Sequence, residues 1–412
     1  MTTQVRHPRA SLRVSAAARL GRVAAIASRR LGLGGGGIVG GRVLLALAPD
    51  AVRQLGRERT VTLVSGTNGK TTTTAYVAAA LRTAGPVATN ADGANTRAGL
   101  AAALSHGDAR RVVLETDEGW VPWLMTQIPG ITPVLLNLSR DQLHRHHEVA
   151  HVARAWHQAL QGTRHVIANA DDPAIVMAAL AAEEQTWVAT GTRWTMDSRV
   201  CPRCGGSCEH HEDDWRCSAC DLHRPTPQWW LEGDTLVSEG HRVPLELSLP
   251  GPVNRANAAM AVAATARLGV APGDAVAAMR QIRDVVGRYD VFVSQSHQAR
   301  LLLAKNPASW AESLKTVITS PDPVVLAFNS EGVDGRDPSW LYDVPFAGLA
   351  GRPLVVTGKR STDMLVRLEM DGLSDVREAP DAAAAVAMLP PGAVTVVANY
   401  TAFQEARKVL SA

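Results

Sequence analysis

Between residues 60 and 190 the chain alternates short apolar runs rich in β-branched residues with longer Ala-rich stretches. TVTLVSG (60–66) precedes TTTTAYVAAALRTAG (71–85), and RRVVLETDEG (110–119), ITPVLLNLS (131–139) and RHVIANADDP (164–173) follow. The first, third, fourth and fifth read as strands and the second as a helix, which predicts a parallel sheet covered by helices on both faces. Each strand-like run breaks into polar residues at its carboxyl end, where sheets of this kind bind ligands. Upstream, residues 6–49 read as an amphipathic helix, a Gly-rich loop at Gly34–Gly37 and a second helix. We expect an N-terminal helical segment (1–54), an α/β central domain (55–285) and a separate α/β C-terminal domain (286–412). No run approaches the roughly 18 uncharged apolar residues that a membrane span needs.

Composition changes this picture little. The chain has 412 residues, 46% hydrophobic and 20% charged, and its net charge of +3 gives no footprint for nucleic acid. Its head is Arg-rich and free of acids until Asp50, so a targeting peptide has to be considered. Arg19, Arg22, Arg29 and Arg30 interrupt its apolar residues and no clear cleavage site follows. We therefore expect a cytoplasmic protein whose first helix has a solvated face. Peripheral contact with the anionic inner face of a membrane is the alternative.

The first polar break carries chemistry. Gly66, Thr67, Asn68, Gly69, Lys70, Thr71 and Thr72 follow a strand and open a helix. Glycines let backbone N–H groups curl round phosphate oxygens, Lys70 supplies a positive charge, the Thr71 hydroxyl can reach Mg²⁺, and the helix N-terminus favours an anion. The strict pattern has Gly where this chain has Val64; the strand–helix context nonetheless predicts ATP binding. At the next break, Glu115 still lies on its strand and is the expected Mg²⁺ ligand, a task for hard oxygen donors. Asp117 or Glu118 reads as a helix-capping acid.

Four of the five cysteines form two Cys-x-x-Cys knuckles, Cys201/Cys204 and Cys217/Cys220, twelve residues apart. Four thiolates at this spacing can close tetrahedrally on Zn²⁺ as a structural zinc ribbon, spanning about residues 198–224. A disulfide pair is the weaker alternative. Cys208, His210 and His211 are spare, and the acidic loop EHHEDDW argues against nucleic acid.

GTNGKTTTT, NADGANTRAGL, LNLSRDQLHRHHE, NADDP and GPVNRANAAMAVAA resemble the Mur ligase superfamily. With the four-Cys insertion, LLLAKNPASW and VDGRDPSWLYD, the likeness extends over nearly the whole chain and narrows to the MurT family, ligase subunits of lipid II isoglutaminyl synthases. The resemblance implies an ATP-dependent carbon–nitrogen ligase of peptidoglycan synthesis. It would activate the α-carboxylate of D-Glu in the lipid II stem peptide as an acyl phosphate and amidate it with ammonia from a GatD-like glutamine amidotransferase partner. It also implies that Lys70, Thr71 and Glu115 serve phosphate and Mg²⁺, that Asn254 and Asn257 lie near the nucleotide, and that Arg288 faces the phosphates. The chain departs from many Mur ligases in having no lysine between Lys70 and Lys305, where they carry a carbamylated lysine. A stand-alone Mur or folylpolyglutamate-type ligase and a zinc-ribbon ATPase scaffold are the alternatives.

The same resemblance implies that Asp337 completes the partner's Cys–His pair across an interface. A Cys nucleophile requires a His base, and that His requires a carboxylate to fix its tautomer. The local sequence alone predicts a turn at Asp334-Gly335 and a cap by Asp337 on a helix starting at Pro338. Both can hold. The family stretch commonly reads Asn-Asp where this chain has Asn329-Ser330.

Overall fold

The computed structural model describes residues 10–31, 37–57, 59–90, 94–106, 109–141, 148–191, 194–283, 289–335 and 337–411. They form two compact units, one of Met1–Leu138 with Val149–Ile282 and one of Ser139–Glu148 with Arg283–Ala412. Arg288 and the expected boundary between residues 285 and 286 lie outside the described residues.

The first unit is built on a nine-stranded sheet. Its spatial order is Val87–Thr89, Arg111–Glu115, Thr60–Ser65, Thr132–Leu135, His165–Asn169, Glu184–Ala189, Trp229–Glu232, Thr235–Ser238 and His241–Pro244. The first seven strands run parallel. Val61 to Ser65 are buried without alternation, as a strand covered on both faces requires. The last two strands fold back as antiparallel hairpins. Between Glu184–Ala189 and Trp229–Glu232 the chain leaves the sheet to form the cysteine insertion, with its own small sheet of Cys208–His210 and Trp215–Cys217.

Helices Leu12–Arg30 and Gly37–Leu47 belong to this unit. They pack on each other, and the second packs on helix Arg97–Ser105. The approach is close enough that a Cβ at Gly41 would stand 1.7 Å from the Ala98 carbonyl oxygen.

The second unit has a six-stranded sheet in the order Tyr289–Val293, His297–Leu303, Gly392–Ala398, Val324–Ala327, Leu354–Thr357 and Val376–Glu378. Tyr289–Val293 runs antiparallel to its neighbour and the rest are parallel. Trp310, Phe328, Phe346 and Leu368 fill the core on one side of the sheet, and Val386 and Phe403 on the other. Helix Pro307–Ile318 starts with a reciprocal capping box between Asn306 and Ser309 and has Pro307 at its first position.

Candidate functional site

The carboxyl end of Thr60–Ser65 turns through Gly66 into helix Lys70–Arg82. Gly69 precedes the helix at φ +85°, and no side chain caps the helix and no acid occupies its first turn. Its leading N–H groups are therefore left to an anion. Gly69 is needed for space as well as for its dihedral, because a Cβ there would meet Asn257 Oδ1 at 2.3 Å. Asn257 is buried on helix Pro252–Arg267, which packs against Lys70–Arg82.

The loop is held open by Asn137, just past strand Thr132–Leu135. Its carbonyl accepts from Thr67 N at 2.9 Å, its side-chain oxygen accepts from Asn68 N at 2.9 Å, and its amide donates to the Asn68 carbonyl at 3.0 Å. Thr71 and Thr72 occupy the first turn of the helix, Thr71 half-buried and Thr72 buried.

Lys70 is 5% exposed and donates to the Gly66 carbonyl at 2.5 Å and to Glu118 Oε2 at 3.0 Å. Burial works against its charge, but the Glu118, Glu115 and Asp117 carboxylates outweigh burial and hold its pKa above the ordinary lysine value. Glu115 pairs in register with Val64 and is buried. Asn90 brackets its backbone, accepting from Glu115 N at 2.8 Å and donating to its carbonyl at 2.6 Å. Asn95 Nδ2 reaches Glu115 Oε1 at 3.4 Å.

Of Asp117 and Glu118, the cap is Asp117, which accepts from Gly119 N at 3.2 Å. Glu118 is buried, faces Lys70, and its backbone carbonyl accepts from Trp156 Nε1 at 3.0 Å. The turn behind it is fastened by Arg97, whose guanidinium lies 4.5 and 4.8 Å from the ring centroids of Trp120 and Trp123. Glu118, Asn137 and Asn90 escaped sequence reasoning. The only signal was a polar residue at or beyond the carboxyl end of a strand. Asn254 Nδ2 donates to the Pro250 carbonyl at 2.6 Å.

All five cysteines are unbonded. The Sγ atoms of Cys201, Cys204, Cys217 and Cys220 lie within 4.8 Å of one another, with Cys201–Cys220 at 3.8 Å and Cys204–Cys217 at 3.5 Å. A tetrahedron with Zn–S bonds of about 2.3 Å has edges of about 3.8 Å, so the four thiols fit a metal of that class. The disulfide alternative fails on distance. Cys208 is outside the set, and burial pushes its thiol up to about 12. The insertion is tied to the sheet by Trp215, which donates to the Ala170 carbonyl at 3.0 Å, and by Arg224, which donates twice to Asp171 Oδ1 at 2.8 and 2.9 Å.

In the second unit the three acids near residue 337 have separate tasks. Asp334 accepts from Tyr400 N at 3.0 Å and Thr401 N at 2.8 Å, capping helix Tyr400–Leu410, and burial raises its pKa despite these bonds. Asp343 pairs with Arg140 at 2.9 Å. Asp337 is exposed, and its Oδ1 accepts from Ser339 N at 2.9 Å, which lowers its pKa. The turn it caps is a short 3₁₀ helix, Ser339–Asp343.

The sequence matches two families, the Mur ligase middle domain over residues 64–265 and the MurT ligase C-terminal domain over residues 303–403. Together the two matches and the relatives below make the chain similar to MurT proteins over most of its length. It is 26% identical over 383 residues to the MurT subunit of lipid II isoglutaminyl synthase (glutamine-hydrolyzing) from Staphylococcus aureus strain N315, covering 86% of this chain and 87% of that one. The corresponding subunit from Streptococcus pneumoniae strain ATCC BAA-255 / R6 is 24% identical over 418 residues, covering 92% and 93%. Among solved structures, a pseudomurein peptide ligase type C from Methanothermus fervidus superposes with a TM-score of 0.69 at 16% identity, covering 88% of this chain and 80% of that one. That likeness establishes the Mur-ligase-like fold.

Proposed function

We propose that this MurT-type chain is the ligase subunit of a glutamine-hydrolysing lipid II isoglutaminyl synthase. It uses ATP to amidate the α-carboxylate of D-Glu in the lipid II stem peptide, with ammonia supplied by a GatD-like subunit. The observation that carries the reading is the buried Lys70 at an uncapped helix N-terminus, facing Glu118 and within the field of Glu115. Mur-type amide synthesis needs such a place, where a γ-phosphoryl group can be neutralised as it moves to a carboxylate.

Within this reading, Gly66 to Thr72 wrap the ATP phosphates, and Thr71 and Glu115 hold Mg²⁺, which would supply positive charge at the transferring phosphoryl group. Glu118 positions the Lys70 ammonium, and Asn257 sets the floor of the loop. Cys201, Cys204, Cys217 and Cys220 hold a structural Zn²⁺. Four protein ligands leave it no open position, so its contribution is to folding. Ammonia needs no amino-acid pocket, which suits a chain with no lysine between Lys70 and Lys305 to carbamylate.

Asp337 serves the partner subunit. Its carboxylate is exposed and accepts a hydrogen bond from Ser339 N at Oδ1, and its exposure leaves it able to accept from a histidine on another chain. The protein works at the inner face of the membrane, where its acceptor is anchored; no helix among the described residues is long and apolar enough to cross a membrane. Co-expression with the GatD-like subunit, followed by mass spectrometry of lipid II, tests the assignment. The stem peptide should show the mass change from acid to amide, and an unaltered stem peptide from the active complex would overturn it.

A further inference from the structure

Helix Leu12–Arg30 turns its small side chains inward. Ala17, Ala18, Gly21, Ala25 and Ser28 are buried, with Val14 the one large exception. They allow near-contact with the next helix: a Cβ at Gly21 would lie 2.6 Å from the Gly40 carbonyl oxygen, and one at Gly40 would lie 2.7 Å from that of Gly21. The large apolar side chains point the other way. Leu12 is 91% exposed, Leu20 54%, Val23 63%, Ile26 45% and Leu31 72%, and Ile38, Val39 and Leu47 of the adjoining stretch are exposed as well.

Single exposed leucines are ordinary on a protein surface, and a contiguous set is not. Of the nineteen exposed large apolar side chains among the described residues, these eight fall between residues 12 and 47. At 3.6 residues per turn, Leu12, Val23 and Ile26 share one sector with Arg19 and Arg30, opposite Gly21 and Ala25. A fully solvated face would not carry three large apolar side chains in that sector.

The charge indicates what covers it. No Asp or Glu precedes Asp50, and Arg19 and Arg30 stand exposed among the apolar residues. An apolar stripe with interleaved arginines and no acids is complementary to an anionic lipid surface. The aliphatic groups enter the acyl boundary, and the guanidinium groups reach back to the phosphates along their own apolar stems. We infer that helix Leu12–Arg30 docks in the plane of a membrane bearing anionic lipid, through Leu12, Leu20, Val23, Ile26 and Leu31. The inference stands on this helix and is independent of which acceptor the ligase uses.

The test is co-sedimentation of the full chain with phosphatidylcholine vesicles, with and without phosphatidylglycerol. The wild type should bind the anionic vesicles and be released by salt. The triple variant Leu20→Ser, Val23→Ser, Ile26→Ser should bind on the order of tenfold more weakly or worse. The double variant Arg19→Glu, Arg30→Glu should lose the preference for phosphatidylglycerol. Both should keep the wild-type melting temperature and ATP hydrolysis, because every substituted side chain is exposed. Failure of the wild type to bind either vesicle overturns the inference, as does wild-type binding by either variant. A lipid-independent oligomer that the serine variant dissolves would instead assign the face to a second copy of the chain.

Discussion

Lys70 Nζ donates to Glu118 Oε2 at 3.0 Å, and both side chains are more than nine-tenths buried. A buried pair is costly to break because the remaining charge has no solvent to turn to, and removing one partner costs about 3–5 kcal/mol. Lys70→Ala should therefore lower the denaturation midpoint as well as abolish turnover. The activity loss should be on the order of 10²-fold or more even with free ammonia as nitrogen source. Glu118→Gln keeps the shape and a hydrogen-bond acceptor while removing the charge. It should reduce stability and ATP turnover together, measured by urea unfolding and phosphate release. Near-wild-type values for both would show that the pair is incidental.

Glu115 should separate from Glu118 in its metal dependence. Its carboxylate lies at the carboxyl end of its strand, with Asn95 reaching one oxygen at 3.4 Å. Glu115→Gln is expected to raise the Mg²⁺ concentration for half-maximal turnover by about tenfold or more, since a carboxylate ligand is lost. An unchanged Mg²⁺ titration would move the metal role to another residue, Glu118 first.

The turn from strand Thr60–Ser65 into helix Lys70–Arg82 was legible because glycines separate a strand period from a helix period there. Glu118 was not. Two acids after a strand look alike in sequence, and only folding shows that Asp117 caps a turn while Glu118 turns inward against Lys70. The hairpins over Trp229–Pro244 left a readable trace in the turns Glu232-Gly233-Asp234 and Glu239-Gly240, with positive φ at Gly233 and Gly240. Helix Leu12–Arg30 was readable as a helix, but its period could not say which face is inside. Here glycine and alanine win the interior because the helices approach so closely.

The cysteine insertion makes a separable prediction. Cys201→Ser or Cys220→Ser should lose zinc, measured by elemental analysis, and destabilise the insertion, because metal binding and local folding are coupled. Cys208→Ala should keep full zinc stoichiometry, since Cys208 lies outside the four-sulfur cluster. Zinc-free wild-type protein with an intact melting transition would refute the metal assignment.

Asp172 should leave a signature in the pH dependence of stability. It accepts from Leu138 N, Ala174 N and Ile175 N, yet burial outweighs these bonds and pushes its carboxyl up to about 6 from 3.8. The folded state then binds the proton more tightly than the unfolded chain. Its contribution is present in full below pH 3.8 and is lost as pH rises through about 6. The difference in urea midpoint between wild type and Asp172→Asn should accordingly shift across that window and be flat above it. A constant difference throughout would show that Asp172 titrates at its ordinary value.

Asp337 offers the sharpest separation of the two half-reactions. The hydrogen bond from Ser339 N fixes the carboxylate without burying it. The neighbouring Asp334 and Asp343 are committed elsewhere, to Thr401 and Tyr400 and to Arg140. A carboxylate that orients a histidine in trans must be charged, exposed and aimed by its own chain, and Asp337 alone of the three acids meets all of these. Asp337→Asn retains the cap oxygen for Ser339 but removes the charge, so the fold and the assembly with the GatD-like subunit should persist. Glutamine-dependent amidation should fall by a factor on the order of 10²–10⁴, the range set by loss of an orienting carboxylate. Ammonia-dependent amidation should remain close to wild type, because Lys70 and Glu115 are untouched. Equal loss with both nitrogen sources would place Asp337 in the ligase reaction or the fold, and undiminished glutamine hydrolysis would leave it as the cap of Ser339–Asp343 and nothing more.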